Sequence, residues 1–480
     1  MAAKILFVAP PTNATKQLTP DLGIGFLASA LRGAGFDVDF IDVRRDGFSR
    51  AGFIERLRRE PYLFVGVKVF STSLPEANEV LNAVREALPQ TKIIIGGPHP
   101  TYAPEDALKS CPAADVGIIG EGDTAVIALA RAFAEGKSVA DIEAIAFRDG
   151  GVIRVNARKS FLDLERLPLP AWDLIDPRRY VGHEDLWFFS KGKVTAPISV
   201  GRGCPFKCTF CSDFIVAGRN VRYRPVEKVM DEIALLVNEY GVDEIHLTDS
   251  IFTINKKYVY SFCENLQKRN LKIHWATPYG TRLDTLDAEL LGAMEQAGCY
   301  GTSVGIEAGS DQMLAFMKKG VTVALVEEKI KLIKANTRWL VQGFFILGYP
   351  TETRETMRAT IDLACRLPLD MAVFAPFRAT PGTEVAAYLA EHEPEFTPAW
   401  GNQSVEHLVY HPRGIGVEEM ERWHRRAYRA FYFRPHVAWR YLTMIRGKKE
   451  MRLLAAKFKN RIFRRASTEG NAAAPPVWAS

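Results

Sequence analysis

Cys204, Cys208 and Cys211 lie close together, with three and then two residues between them. Thiolates spaced this way on one tight loop can bind metal. They make a poor structural zinc site, which takes four ligands, usually as two pairs. They suit an iron–sulfur cube better, because thiolates are the natural ligands of such clusters. Three thiolates on a four-iron cube leave one iron open to another ligand. A zinc ion with a remote fourth ligand, or a chance run of cysteines, is the alternative. The loop follows a short, mostly apolar run, Ala196 to Val200, that reads as a strand. Of seven cysteines, three share this loop, so the set is not a disulfide framework. An exposed cluster requires a reducing compartment, and a cytoplasmic location is expected.

With aromatic Phe210 just before the last cysteine, the loop resembles the radical S-adenosylmethionine (SAM) signature. The resemblance implies a 4Fe-4S cluster held by Cys204, Cys208 and Cys211. Its open iron would chelate the amino and carboxylate groups of SAM. One electron would then cleave the sulfonium to a 5′-deoxyadenosyl radical, with flavodoxin or ferredoxin as the kind of donor required.

A chain of 480 residues is too long for one ordinary domain, and two or three are expected. An apolar fraction of 47% with 25% charged residues fits globular domains. No apolar run approaches the roughly 18–20 residues of a membrane span. The N-terminal run reads as a strand, since the longer apolar region and small-residue cleavage site of a signal peptide are missing.

Upstream of the cysteines, strands are expected at Lys4–Ala9, Val38–Asp42, Phe64–Val69, Lys92–Gly96 and Val116–Gly120, alternating with helices. One helix runs from about Leu22 to a stop at Gly35. Such a doubly wound, Rossmann-like α/β sheet binds ligands at the carboxyl ends of its strands. The loops there carry Ser71 and Thr72, then Gly97, His99 and Thr101, then Gly120, Glu121, Gly122 and Asp123. Glycines let backbone approach a bulky ligand. Placed before a radical SAM motif, these loops resemble the cobalamin-binding domain of B12-dependent radical SAM enzymes. The resemblance implies cobalamin bound by Ser71, Thr72, Gly97, His99, Gly120, Glu121 and Gly122. The Asp-x-His-x-x-Gly motif that supplies histidine to cobalt is absent, and the loop from Ala9 to Thr15 has no histidine. His99 is expected to line its loop rather than ligate cobalt.

Residues 141–195 read as a linker, with a hairpin turning on Asp149-Gly150 and an extended Pro-rich stretch from Leu164 to Pro177. The expected divisions are a B12-binding domain at 1–140, a radical SAM core at 196–395 and a basic helical region at 396–466. From Ala196 six βα units repeat, which suggests a partial (β/α)6 barrel. Polar residues at the carboxyl ends of barrel strands read as functional. By resemblance, Asp249 would meet the SAM amino group and Glu307 would contact SAM. Arg282 and Ser310 are further candidates for that pocket, with a surface ion pair as the other reading of Arg282. Cys263, Cys299 and Cys365 read as core residues, and Tyr349 as a packing residue.

The net charge of +6 is uneven. From Glu421 to Ala466, 15 Lys/Arg face 2 Glu, a local +13 that leaves about −7 for the remainder. Aromatics from Trp423 to Phe463 interleave with these bases along two expected helices, near 417–430 and 436–465. A helical cap with a solvated basic face, contact with an anionic membrane surface or lipid substrate, and nucleic-acid binding are the three readings. Residues 467–480 read as disordered. The expected function is cobalamin-dependent methylation of an unactivated carbon of a small-molecule or lipid-like substrate. Radical cyclisation, as in the anaerobic Mg-protoporphyrin monomethyl ester cyclase, is the alternative enzyme reading. A cobalamin-binding sensor without turnover is the alternative from another class.

Overall fold

The structure is a computed structural model and describes residues 3–11, 18–182, 190–396, 410–444 and 478. Lys4–Ala9 (β1), Asp37–Asp42 (β2), Phe64–Lys68 (β3), Lys92–Gly96 (β4) and Val116–Ile118 (β5) pair in parallel in the order β2-β1-β3-β4-β5. Helices cover both faces, which is why the central strands are unbroken apolar runs rather than alternating ones. The helix Leu22–Gly33 starts where the Asp21 side chain accepts the Ile24 N–H. It stops just before Gly35, whose φ of +90° suits glycine.

The stretch read as a linker has more partners than expected. Its hairpin, Ile145–Asp149 (β6) and Val152–Asn156 (β7), adds antiparallel to β5 and completes a seven-stranded sheet. Burial of Ile145, Ala146 and Phe147 draws it there. The Pro-rich segment buries Leu164, Leu167, Ala171, Trp172 and Ile175. Leu164 and Leu167 pack on Phe26, while Trp172 enters the second domain's core and donates its indole N–H to Glu232 at 3.2 Å. Burying large side chains at roughly 1.5–3 kcal/mol each offsets the entropy of ordering an extended segment.

The second sheet begins with Thr195–Ile198 (β8). A short ribbon follows, Gly201–Arg202 (β9) with Arg222–Tyr223 (β10). Then come Glu244–Leu247 (β11), His274–Thr281 (β12), Cys299–Glu307 (β13), Leu340–Leu347 (β14) and Met371–Pro376 (β15). The parallel order β8-β11-β12-β13-β14-β15 follows the chain, as six βα units in a partial barrel require.

An open barrel leaves a free strand edge, and the C-terminal region covers it. The helix Val417–Tyr432 buries Met420, Trp423, Ala427, Tyr428 and Phe431 against β15. The Tyr432 hydroxyl donates to the Ala372 carbonyl at 2.8 Å, and the Tyr428 hydroxyl accepts the Phe374 N–H at 3.2 Å. Two phenols thus satisfy backbone groups that an unpaired edge would leave open. The aromatics of this helix form a cap, and its apolar face is engaged by the barrel. The second expected helix is seen as Pro435–Met444. The remainder of that helix and the tail at 467–480 lie outside the described residues, save Trp478, whose ring lies 5.3 Å from that of Phe53. Among the described residues no helix is long and apolar enough to cross a membrane.

Candidate active site between two sheets

The cysteine loop leaves β8 and is anchored at once. Asp249, just beyond β11, accepts the N–H of Val200 at 3.1 Å and the N–H of Gly201. Burial pushes the Asp249 carboxyl up to about 7, against the stabilising effect of these N–H donors. Gly203 has φ +108°, and a Cβ there would stand 2.3 Å from the Asn220 carbonyl oxygen. Only glycine lets the two segments pass. The Cys204 N–H donates to Gly218 at 3.0 Å, and Cys211 closes a turn onto Cys208 at 3.2 Å.

All three thiols are half-buried. Burial raises the Cys211 thiol to about 12, with Asp213 and the other two cysteines adding to the rise. Burial also raises Cys204, which Arg282 partly opposes. Thiols held this way ionise when a cationic centre binds them. They are near enough to influence one another. A structural zinc site takes four ligands, whereas a cube takes three thiolates and keeps one iron open. The donor set fits a 4Fe-4S cluster.

Three charged residues brace this loop through its aromatics. The Arg282 guanidinium stands 3.5 Å from the Phe206 ring centroid, pairs with Asp284 at 2.9 Å and donates to the Lys319 carbonyl at 2.9 Å. The Arg282 side chain is thus a largely buried ion pair lying against the cysteine loop. Glu307 ends β13 at φ +70°, a left-handed conformation that is strained for glutamate. Its carboxylate accepts from the Lys319 ammonium at 2.7 Å, and that ammonium stands 5.9 Å from the Phe210 ring. Lys319 and Phe206 carried no recognisable signal in the sequence. The Ser310 hydroxyl is occupied in accepting the Met313 N–H at the start of the helix Asp311–Phe316. Tyr349 is fully buried and shares a 2.7 Å hydrogen bond with Thr209 in the loop. Cys263 and Cys299 are buried in the second domain's core, and Cys365 packs half-buried against it.

The mouth of the first sheet is built from backbone. Gly97 adopts φ +100°, and a Cβ there would meet the Val69 carbonyl oxygen at 3.1 Å. The Thr101 hydroxyl donates to Gly97 at 2.7 Å and accepts the Gly120 N–H at 2.9 Å, so one side chain ties two loops together. Gly120, at φ +76°, holds a left-handed conformation that favours glycine and lies against the Arg158 guanidinium. Gly122 precedes the helix Asp123–Ala134. His99 is fully buried, with Nδ1 3.0 Å from the Ser71 hydroxyl and Nε2 3.4 Å from Asp106. It props the Ser71 turn from behind, and burial lowers its pKa from the ordinary value. Glu121 reaches across the domain boundary. Its oxygens accept from Arg222 at 2.6 and 3.0 Å, and Arg202 lies 3.4 Å away. Its carboxylate is held by barrel arginines at the wall of the cavity between the domains.

A cavity of about 360 Å³ separates the carboxyl ends of the two sheets. Gly66, Gly97 and Gly120 wall one side, and Ser199, Asp249 and Ser250 the other. Its described wall contains no histidine. Glycines set among the apolar side chains Phe7, Ile24, Phe26 and Leu27 let backbone come close to a large, flat ligand, as cobalamin would be. Residues 12–17 of the first loop lie outside the described residues.

Residues 12–130 match the B12 binding domain, and residues 198–364 match the Radical SAM superfamily. The chain is 30% identical over 434 residues to the anaerobic magnesium-protoporphyrin IX monomethyl ester cyclase of Cereibacter sphaeroides, across 88% of this chain and 69% of the relative. This chain is a cobalamin-dependent radical SAM enzyme. The cofactors of the family are a 4Fe-4S cluster, SAM and cobalamin. The enzyme is also 29% identical over 442 residues to an uncharacterized methyltransferase of Pyrococcus horikoshii, across 90% of this chain and 93% of the relative. In fold it is similar to the radical SAM methyltransferase TsrM of Kitasatospora setae, solved with cobalamin and a [4Fe-4S] cluster bound. The TM-score is 0.69 at 22% identity, covering 91% of this chain and 86% of TsrM.

Proposed function

We propose that this radical SAM enzyme transfers a methyl group to an unactivated carbon of a small molecule held between its two sheets. One observation carries the reading: Arg202, Gly203 and Asp213, on either side of the three cysteines, line the same cavity as Gly97 and Gly120 of the other domain. Both cofactors can then reach a single carbon, and positioning of this kind supplies much of a catalyst's advantage. The methyltransferase relative of nearly equal length supports it. So does TsrM, a methyltransferase of this fold seen with a tryptophan substrate.

When bound, the cluster supplies the electron that cleaves SAM to a 5′-deoxyadenosyl radical, and cobalamin supplies the methyl group. Cys204, Cys208 and Cys211 hold the cluster. Asp249 sets the start of the loop and offers its carboxyl to the SAM ammonium, which would draw its pKa back down. Lys319 and Arg282 set Phe210 and Phe206 over the loop, with Glu307 orienting Lys319. Gly97 and Gly120 give cobalamin its seat, Thr101 fixes that seat, and His99 stiffens the Ser71 turn. Glu121 locks the two domains together through Arg222 and Arg202. The exposed Lys207 and Arg219 beside the cysteines give an acidic donor such as flavodoxin or ferredoxin a surface to meet.

Radical cyclisation is the second reading, favoured by the 30% identity to the magnesium-protoporphyrin enzyme. Anaerobic reconstitution with SAM, cobalamin and a reductant separates the two. Methyl transfer yields S-adenosylhomocysteine together with 5′-deoxyadenosine. Deoxyadenosine without S-adenosylhomocysteine supports cyclisation, and bound cobalamin without SAM cleavage supports a sensor.

A further inference from the structure

The cysteine loop is closed by one short helix. The helix Asp213–Ala217 starts just after Cys211 and Ser212, and it ends at the residue before Gly218. The Gly218 carbonyl accepts the Cys204 N–H, so both ends of the loop are tied to this helix. The last carbonyls of a helix find no partner within it. Here two guanidiniums from outside take them. Arg158 donates to Ile215 at 3.1 Å and to Val216 at 2.6 Å, and Arg222 donates to Ala217 at 2.9 Å. Both cations lie over the ring of Phe161, at 3.9 and 4.8 Å from its centroid. That ring packs on Gly218, where a Cβ would stand 2.5 Å from it. Arg158 itself comes from neither cofactor loop. It follows the hairpin β6–β7 in the stretch that joins the two domains, and its guanidinium lies against Gly120. The cavity between the domains is lined by Gly120 on one side and by Asp213, Val216 and Ala217 of the helix on the other. One cation thus touches the glycine seat and the end of the helix that closes the thiol loop.

We infer that Arg158 is a positioning residue that couples the two cofactor sites, so that filling the glycine seat makes the cluster easier to reduce. The potential of an iron–sulfur cluster responds to net charge, to hydrogen bonds and to water around it. A ligand in the cavity excludes water from the wall that the helix forms. In drier surroundings a cation acts more strongly on an added negative charge. Arg158 is half-buried, and a guanidinium keeps its charge there. Its terminal nitrogens donate to carbonyls rather than to a carboxylate, so its charge is not cancelled by the groups it bonds. The electron is then taken most readily when the second cofactor is in place, which limits cleavage of SAM without it. The coupling concerns the electron, and either site can still be filled alone. The inference needs the cluster and cobalamin but not the methyl-transfer reading, and it holds equally for cyclisation.

The test uses the full chain, reconstituted anaerobically with iron and sulfide and then divided into portions with and without hydroxocobalamin. SAM is left out, so no turnover occurs. Dithionite supplies the one electron that each cluster takes, and cryogenic electron paramagnetic resonance counts reduced clusters along a potentiometric titration. In the wild type, cobalamin should shift the reduction equilibrium toward the reduced cluster about fivefold or more, the lower end of ordinary coupling between sites. Arg158→Met should erase that gain, and Arg158→Lys, which keeps the charge, should retain part of it. A merely structural cap would lower cluster content without moving the potential of the clusters that load. Should the Met variant fail to load a cluster, the Lys variant decides: a smaller gain supports the inference and an unchanged one overturns it. A wild-type potential that cobalamin leaves unchanged or lowers also overturns it, as does a gain that persists in Arg158→Met. Formation of S-adenosylhomocysteine remains a separate readout, so failure of the methyl-transfer reading is distinguishable from failure of the coupling.

Discussion

The two mouths that face each other across the domain boundary are made of different material. The barrel mouth is built from side chains: three thiols, two aromatic rings and the charged residues Asp249, Arg282, Glu307 and Lys319. The first-sheet mouth turns on backbone shape, with Gly97 and Gly120 in conformations that side chains rarely adopt and Thr101 tying their loops together. The difference follows from the ligands. A cluster is held by covalent donors, so its site is lost when an atom is removed. A large corrinoid is held by shape, so its site is lost when an atom is added. The two regions should therefore fail to opposite kinds of substitution.

The largest expected effect is on the side-chain mouth. Cys208→Ala should reduce 5′-deoxyadenosine formation to background, measured by mass spectrometry, with cobalamin binding largely intact. Arg222→Met attacks what the regions share. It removes the main partner of Glu121, whose side chain is 6% exposed, at a cost of about 3–5 kcal/mol for a broken buried pair. Urea denaturation should show the loss, and cobalamin retention and SAM cleavage should fall together. Were only one to fall, the docking role of this pair would be wrong.

Gly97→Val attacks the backbone mouth. A strained φ near +100° costs on the order of 1–3 kcal/mol, so cobalamin affinity should drop about tenfold or more. A cobalamin titration followed by absorbance checks this. The Asp249 carboxyl sharpens the contrast through pH. Its folded pKa of about 7 lies above the unfolded value near 3.9, so the folded state holds the proton longer. The contribution of Asp249 to stability is greatest below about pH 4 and falls as pH rises toward 7, at up to about 1.4 kcal/mol per unit. Asp249→Asn should flatten that slope in denaturation curves. Glu352, which burial also raises to about 7, keeps part of it in both proteins. The smallest effect belongs to the edge cap. Tyr432→Phe should cost about 1 kcal/mol in urea unfolding and change neither cofactor site.

The same contrast explains what the sequence made legible. The strands read clearly because parallel strands buried on both faces are continuous apolar runs, as Lys4–Ala9 and Lys92–Gly96 are. The cysteine loop read clearly because three thiols at short spacing have few other uses. The glycine loops were visible as composition, and their φ values supply the reason. Contacts between distant parts were hidden. Nothing near Glu121 announces Arg222, 101 residues further on. Nothing near Glu307 marks Lys319, because the turn that returns the lysine is set by tertiary packing. The hairpin at Asp149-Gly150 was legible, but its place on the first sheet depends on a free edge at β5. The aromatic-basic tail allowed three readings because amphipathic pattern alone does not say what covers the apolar face. Tyr428 and Tyr432 on β15 decide it for the described helix.

The central claim is that two cofactor sites of opposite construction lie on either side of the domain boundary and can be emptied separately. Iron and cobalt content of anaerobically reconstituted Cys208→Ala and Gly97→Val, measured side by side, tests it most directly. The account predicts cobalt retained with a defective cluster in the first variant, and iron retained with cobalt lost in the second. Loss of both metals in either variant would contradict it.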